Sequence, residues 1–89
     1  MHFDNNEQKR QQAEKRKVLN RFSKVEELIS ELEAEVESIN NEMMKPELSL
    51  DFTKLNELSQ TAEDKNSEIR ELMEEWETLH NEIEEKGYN

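Results

Sequence analysis

The sequence contains no cysteine, one glycine (Gly87), one proline (Pro46) and few aromatic side chains. Without cysteine there is no disulfide framework and no thiolate metal site. One glycine and one proline leave almost nothing with which to build the tight turns of a sheet or barrel, which argues against all-β and α/β architectures. Hydrophobic residues are also scarce, at 31% of 89, and no apolar run approaches the roughly 20 residues that span a bilayer. So low a fraction would mean disorder if it were scattered, because a chain that buries little cannot offset its conformational entropy. The start, Met1-His2-Phe3-Asp4, has no apolar signal segment behind it, so the expected setting is soluble and cytoplasmic, with no membrane partner.

Charge is what the chain has in abundance: 39% of its residues are charged and the formal net charge is −11. The distribution is uneven. From Met1 to Val25 seven bases face three acids, a net of +4, whereas from Glu26 onward five bases face twenty acids, a net of −15. A chain polarised in this way is expected to offer its basic end to an anion and to keep its acidic body solvated.

The apolar residues are periodic. Val18, Phe22, Val25, Ile29, Leu32, Val36, Ile39 and Met43 recur at alternating steps of four and three, the a/d seam of a coiled-coil helix. Leu55, Leu58, Ala62, Ile69, Leu72, Trp76, Leu79 and Ile83 repeat the alternation, with Lys65 in one seam position. Between the two seams, Pro46 lacks the amide donor of a helix interior and disfavours helical geometry in Lys45, so the first helix should stop near Met44. Lys45 suits the negative end of a helix dipole. Asp51 is a good N-cap, with Leu50 and Leu55 placed as a hydrophobic staple around it, and Gly87 after Lys86 can take positive φ and end the second helix. The expected architecture is all-α: two long antiparallel helices forming a coiled-coil hairpin over residues 9–86. Helix 1 runs over about 9–44, the turn over 45–51 and helix 2 over about 52–86, with a disordered lead-in at 1–8 and a tail at 87–89.

Antiparallel pairing predicts a register in which facing numbers sum to 101: Val18 with Ile83, Phe22 with Leu79, Val25 with Trp76, Ile29 with Leu72, Leu32 with Ile69, Val36 with Lys65, Ile39 with Ala62 and Met43 with Leu58. A slip of one heptad would set Leu79 against Lys15 and Ile83 against Gln11. Lys65 should snorkel past Val36 toward Glu35 or Glu68 and help to fix register. So narrow a seam gives modest stability, which favours either a weak homodimer or a parent protein that holds the ends. Leu19, Leu28 and Met73 widen the apolar stripe and offer docking points.

Little in the chain suggests catalysis. The carboxylate clusters around Glu31–Glu35 and Glu74–Glu77 read as solvated helix faces, His2 and His80 are the only histidines, and there is no phosphate-cradling loop, paired nucleophile and base, or zinc motif. Trp76 reads as a core residue opposite Val25 rather than a base-stacking platform. The informative segment is basic. Arg10, Lys17 and Lys24 lie seven apart on one helix row with Arg21 on the next, and with Lys9 and Arg16 they make a candidate phosphate-binding stripe. The competing reading is internal neutralisation, with Arg16 and Lys17 opposite Glu85 and Glu84 and Arg21 near Glu82; Glu14 also interrupts the stripe.

The basic lead-in Gln8–Lys17, the run Val25-Glu26-Glu27-Leu28-Ile29 through Met44, the bend Pro46–Asp51 and the second-helix ending Leu72-Met73-Glu74-Glu75-Trp76-Glu77-Thr78-Leu79 together resemble the C-terminal coiled-coil domain of ABC-F ATPases of the Uup and YdiF type. The likeness covers roughly residues 8 to 85. Lys45 and Ser49 depart from it, standing where the family often has an acidic residue and an aromatic. The resemblance implies a piece taken from behind two tandem nucleotide-binding domains, with ATP and magnesium bound and hydrolysis performed by those domains and no cofactor in this piece. It further implies an accessory arm that contacts rRNA, tRNA, DNA, the translating ribosome or its own ATPase domains. A purely structural coiled coil, for self-association or docking on protein, is the alternative.

Overall fold

A computed structural model describes the backbone of residues 3–88 and the side chains of residues 7–88. Two helices, α1 (Phe3–Met43) and α2 (Phe52–Lys86), are joined by a 3₁₀ turn at Pro46–Leu48, and there is no strand among the described residues. The helices pack side by side into a rod 75 Å long and 17 Å across.

The bend forms as the local chemistry requires. The last amides of α1 tighten to i−3 acceptors, Met44 N donating to Asn41 O and Lys45 N to Glu42 O, both at 3.2 Å. Lys45 is extended (φ −66°, ψ 134°), the conformation the following proline favours, and its ammonium lies 3.6 Å from Glu42. Asp51 caps α2 by accepting from the Lys54 amide at 3.1 Å. The staple does not form. Leu50 is 82% exposed, because Ser49 and Leu50 complete the turn and carry that side chain away from the seam, while Leu48 is the half-buried residue of the bend. At the other end Gly87 takes φ 65°, and its amide and that of Tyr88 donate to Glu84 O and Ile83 O, the paired bonds of a Schellman cap.

Helix α1 begins six residues before the expected start. Residues 3–8 contain neither glycine nor proline, and Asp4 and Glu7 suit the positive end of a helix dipole, so nothing in the sequence halts the helix at residue 9. Of the lead-in expected to be disordered, Met1 and His2 lie outside the described residues.

The seam follows the expected register. Lys65 meets Glu35, Trp76 meets Glu26 and Phe22 meets His80, pairs whose numbers sum to 100, 102 and 102. The buried core is thin: Val18, Val25, Ala62, Ile69 and Ile83, all seam residues, with the other seam side chains half-buried. A two-helix rod can only bury one stripe of each helix, so each layer matters. Lys65, 28% exposed at its side chain, lays its stem across the seam and ends 2.6 Å from the Glu35 carboxylate, so of the two expected partners it takes the one on the facing helix. Arg21 makes the second cross-helix pair. Its Nε and Nη2 donate to both oxygens of Glu75, at 2.5 and 2.8 Å, and not to Glu82 as the simple facing rule suggested. The two hydrogen bonds, aided by charge and opposed by desolvation, raise the guanidinium further above its usual range and hold the Glu75 carboxyl below the ordinary glutamate range.

Two outcomes follow from this seam. Replacing Lys65 by leucine should raise the thermal midpoint by an amount corresponding to about 1 kcal/mol, since it completes an apolar layer against Val36 at the loss of one half-exposed ion pair; a lowered midpoint by circular dichroism would mean that the lysine stabilises the rod as well as aligning it. The Glu75 carboxyl, depressed on folding, contributes stability that is full above the unfolded value of about pH 4.3. That contribution is lost as pH falls through the lower folded value. Wild type and Glu75→Gln should therefore differ in thermal midpoint near neutrality and converge in acid, and parallel curves would show that the pair contributes nothing.

Candidate nucleic-acid interface

The basic segment of α1 lies at the unequal end of the hairpin. In the observed register Lys86, the last residue of α2, stands opposite Lys15, so α1 continues N-terminal to that point without a facing helix. Gly87 and Tyr88 fold against this projecting stretch, where Tyr88, with Gln8, Gln11, Gln12 and Lys15, lines a shallow recess and the Lys86 ammonium lies 5.8 Å from the Tyr88 ring centre. Residues 7–14 are exposed throughout.

The six candidate phosphate contacts separate into two groups. Arg21 is held by Glu75 in the bidentate pair, and Lys24 sits 3.7 Å from Glu27, one turn along its own helix. Lys9, Arg10, Arg16 and Lys17, together with Lys15, have no carboxylate within 4.0 Å among the described residues. The expected neutralisation of Arg16 and Lys17 by Glu85 and Glu84 is therefore not made as ion pairs. The acids at the end of α2 turn instead to neighbours four residues away: Glu84 lies 3.6 Å from His80, an attraction when the imidazole is protonated, and Glu82 lies 3.7 Å from Lys86. Arg16 and Lys17 project from the outer faces of α1, which makes an i,i+4 partner on α2 nearer to those carboxylates than any base across the seam. The stripe is thus shorter than the sequence suggested, and it lies further toward the free end.

A second surface lies on the flank of the rod. Phe22, Trp76 and His80 form an aromatic cluster, with Trp76 tilted against Phe22 at 5.3 Å and stacked on His80 at 5.1 Å with 12° between planes. Trp76 is half-buried rather than enclosed, and its indole N–H donates to Glu26 at 3.3 Å. Val25, its expected seam partner, is the residue sealed from solvent. Trp76 and His80 of this cluster, with Ile29 and Met73, floor an open groove of about 700 Å³ bordered by Glu26, Glu33 and Glu77. Of the apolar residues expected outside the seam, Leu19 and Leu28 are half-buried and Met73 is 46% exposed. The bend adds a feature that periodicity did not reveal: Met44, Leu50 and Phe52 are all largely exposed there. The signal was present in the sequence, since Met44 and Phe52 fall outside the a/d positions, but the assumed staple assigned Leu50 to the interior.

No group of three or more His, Asp or Glu among the described residues is disposed to hold a metal ion, and no described helix is long and apolar enough to cross a membrane. No curated protein and no solved structure matches the chain. Residues 7–81 match the family model of the ABC transporter C-terminal domain, which takes in most of both helices, the bend and the basic segment of α1. The two-helix rod, its proline bend and that match over most of its length agree: the chain belongs to the ABC transporter C-terminal domain family.

Proposed function

We propose that the chain is the accessory C-terminal arm of an ABC-F ATP-binding protein that works in the cytoplasm, and that its basic end contacts nucleic acid: rRNA or tRNA in the translating ribosome, or DNA. The arm carries out no catalysis and binds no cofactor; ATP and magnesium belong to the nucleotide-binding domains to which such an arm is attached. The observation that carries this reading is the set of bases at positions 9, 10, 15, 16 and 17, which lie on and beside the projecting end of α1 with no carboxylate partner among the described residues. A positive group that is already ion-paired must give up its partner before it can neutralise a phosphate, whereas an unpaired one displaces only counterions. Arg10 and Lys17 lie one heptad apart, about 10 Å along the helix, within reach of phosphates a few nucleotides apart on one strand.

The test is a titration of the chain with rRNA, tRNA and duplex DNA at two salt concentrations. Replacing Arg10 or Lys17 by alanine should weaken binding and lower the slope of log K against log salt by about 1 for each phosphate no longer neutralised. Arg21→Ala should leave that slope unchanged, because its guanidinium is engaged by Glu75. Absence of salt-dependent binding to all three nucleic acids would remove the basic end as a binding element.

A further inference from the structure

The Trp76 groove has a complement on the same molecule that it cannot itself reach. A shallow patch of about 410 Å³ is formed by Gln12, Lys15, Arg16, Leu19 and Asn20. It presents two bases and no acid around the half-buried Leu19, whereas the groove presents Glu26, Glu33 and Glu77 and no lysine or arginine around Met73 and Trp76. Both lie on one flank of α1. Gln12, Leu19, Glu26 and Glu33 follow one another at steps of seven, and Lys15 and Arg16 stand fourteen residues before Ile29 and Ser30. Fourteen residues is four turns, so the two surfaces point the same way about 21 Å apart.

We propose that a second copy of this chain occupies the groove, the two rods lying antiparallel, flank to flank, about a two-fold axis at the level of Phe22 and Ser23. Such an axis carries each residue of α1 to the level at which its number and its partner's number sum to 45. Leu19 of one copy comes to the level of Glu26 of the other, Arg16 to that of Ile29 and Lys15 to that of Ser30. In the hairpin register Met73 and Trp76 of α2 stand level with residues 28 and 25 of α1, so they fall within the stretch 16–20 of the other copy. One rotation therefore places both basic patches on both acidic grooves at once, and the interface closes on itself, as a two-fold contact must. The short side chain of Ser23 lies at the centre, where the rods approach most closely. The like net charge of the copies opposes association at long range, but at physiological salt that repulsion fades within about 8 Å while contacts across the interface are shorter. Arg10 and Lys17 lie toward the opposite flank and stay open to a polyanion.

Sedimentation equilibrium of the full chain in physiological salt, with no nucleic acid present, tests this pairing. The expected result is a reversible, concentration-dependent dimer. Lys15→Glu with Arg16→Glu, and separately Glu33→Lys with Glu77→Lys, should each raise the dimer dissociation constant on the order of tenfold or more. The second double variant is the sharper probe, since it weakens association while lowering the net charge from −11 to −7, a change that would favour any non-specific dimer. An equimolar mixture of the two double variants should form a heterodimer, because each mismatched patch then meets a groove of opposite charge. Helix content by circular dichroism should be unchanged, since Arg16, Glu33 and Glu77 are exposed and Lys15 is at the edge of the seam. A chain that stays monomeric at every concentration, a dimer indifferent to both reversals, or a mixture that remains monomeric would each overturn the proposal.

Discussion

The molecule depends on one antiparallel apolar seam, and that seam depends on the chain reversing at Pro46 with its two stripes in register. A rod 17 Å across has no interior beyond the line where the helices meet, so burial is confined to Val18, Val25, Ala62, Ile69, Ile83 and the half-buried residues between them. Every other feature inherits its place from this alignment. Because α1 is the longer helix, aligning the two at the bend leaves its N-terminal part projecting past Lys86, with Lys9 and Arg10 on the projecting part and Lys15, Arg16 and Lys17 where it meets the end of α2.

Polar groups refine what the apolar seam sets up. Lys65 interrupts the row of hydrophobic layers and reaches across to Glu35, while Arg21 grips both oxygens of Glu75. Pairs this exposed contribute little to stability. Their effect is to penalise a slipped alignment, in which the same side chains would be left without partners. The Arg21 pair also commits one exposed base to a carboxylate, so the bases without such a partner among the described residues lie nearer the free end of α1.

The acidic body and the basic end answer different needs on one rod. Glu82 of α2 settles with Lys86 on its own helix and Glu75 with Arg21 across the seam, while Arg16 and Lys17 take no carboxylate among the described residues. The flank carries the opposite arrangement, an aromatic and methionine floor bordered by carboxylates and a leucine bordered by bases four turns away. Membership in the ABC transporter C-terminal domain family fits a chain built as a stiff two-helix rod.

The heptad spacing, Pro46, Asp51 and Gly87 determined the hairpin, its bend, its caps and its register, because each acts through local geometry or through a period that only one pairing satisfies. They also set Lys65 in the seam within reach of Glu35 and Glu68, and the packed helices gave it Glu35. What the sequence could not determine was which charges find each other, since a long side chain can reach several partners and the outcome depends on the angle at which it leaves the helix. Only the tertiary structure decided that Arg21 takes Glu75 rather than Glu82, that Arg16 and Lys17 take no acid of α2, and that Leu50 turns outward. The same holds for the groove beside Trp76, whose walls come from both helices and come together only once the two are packed.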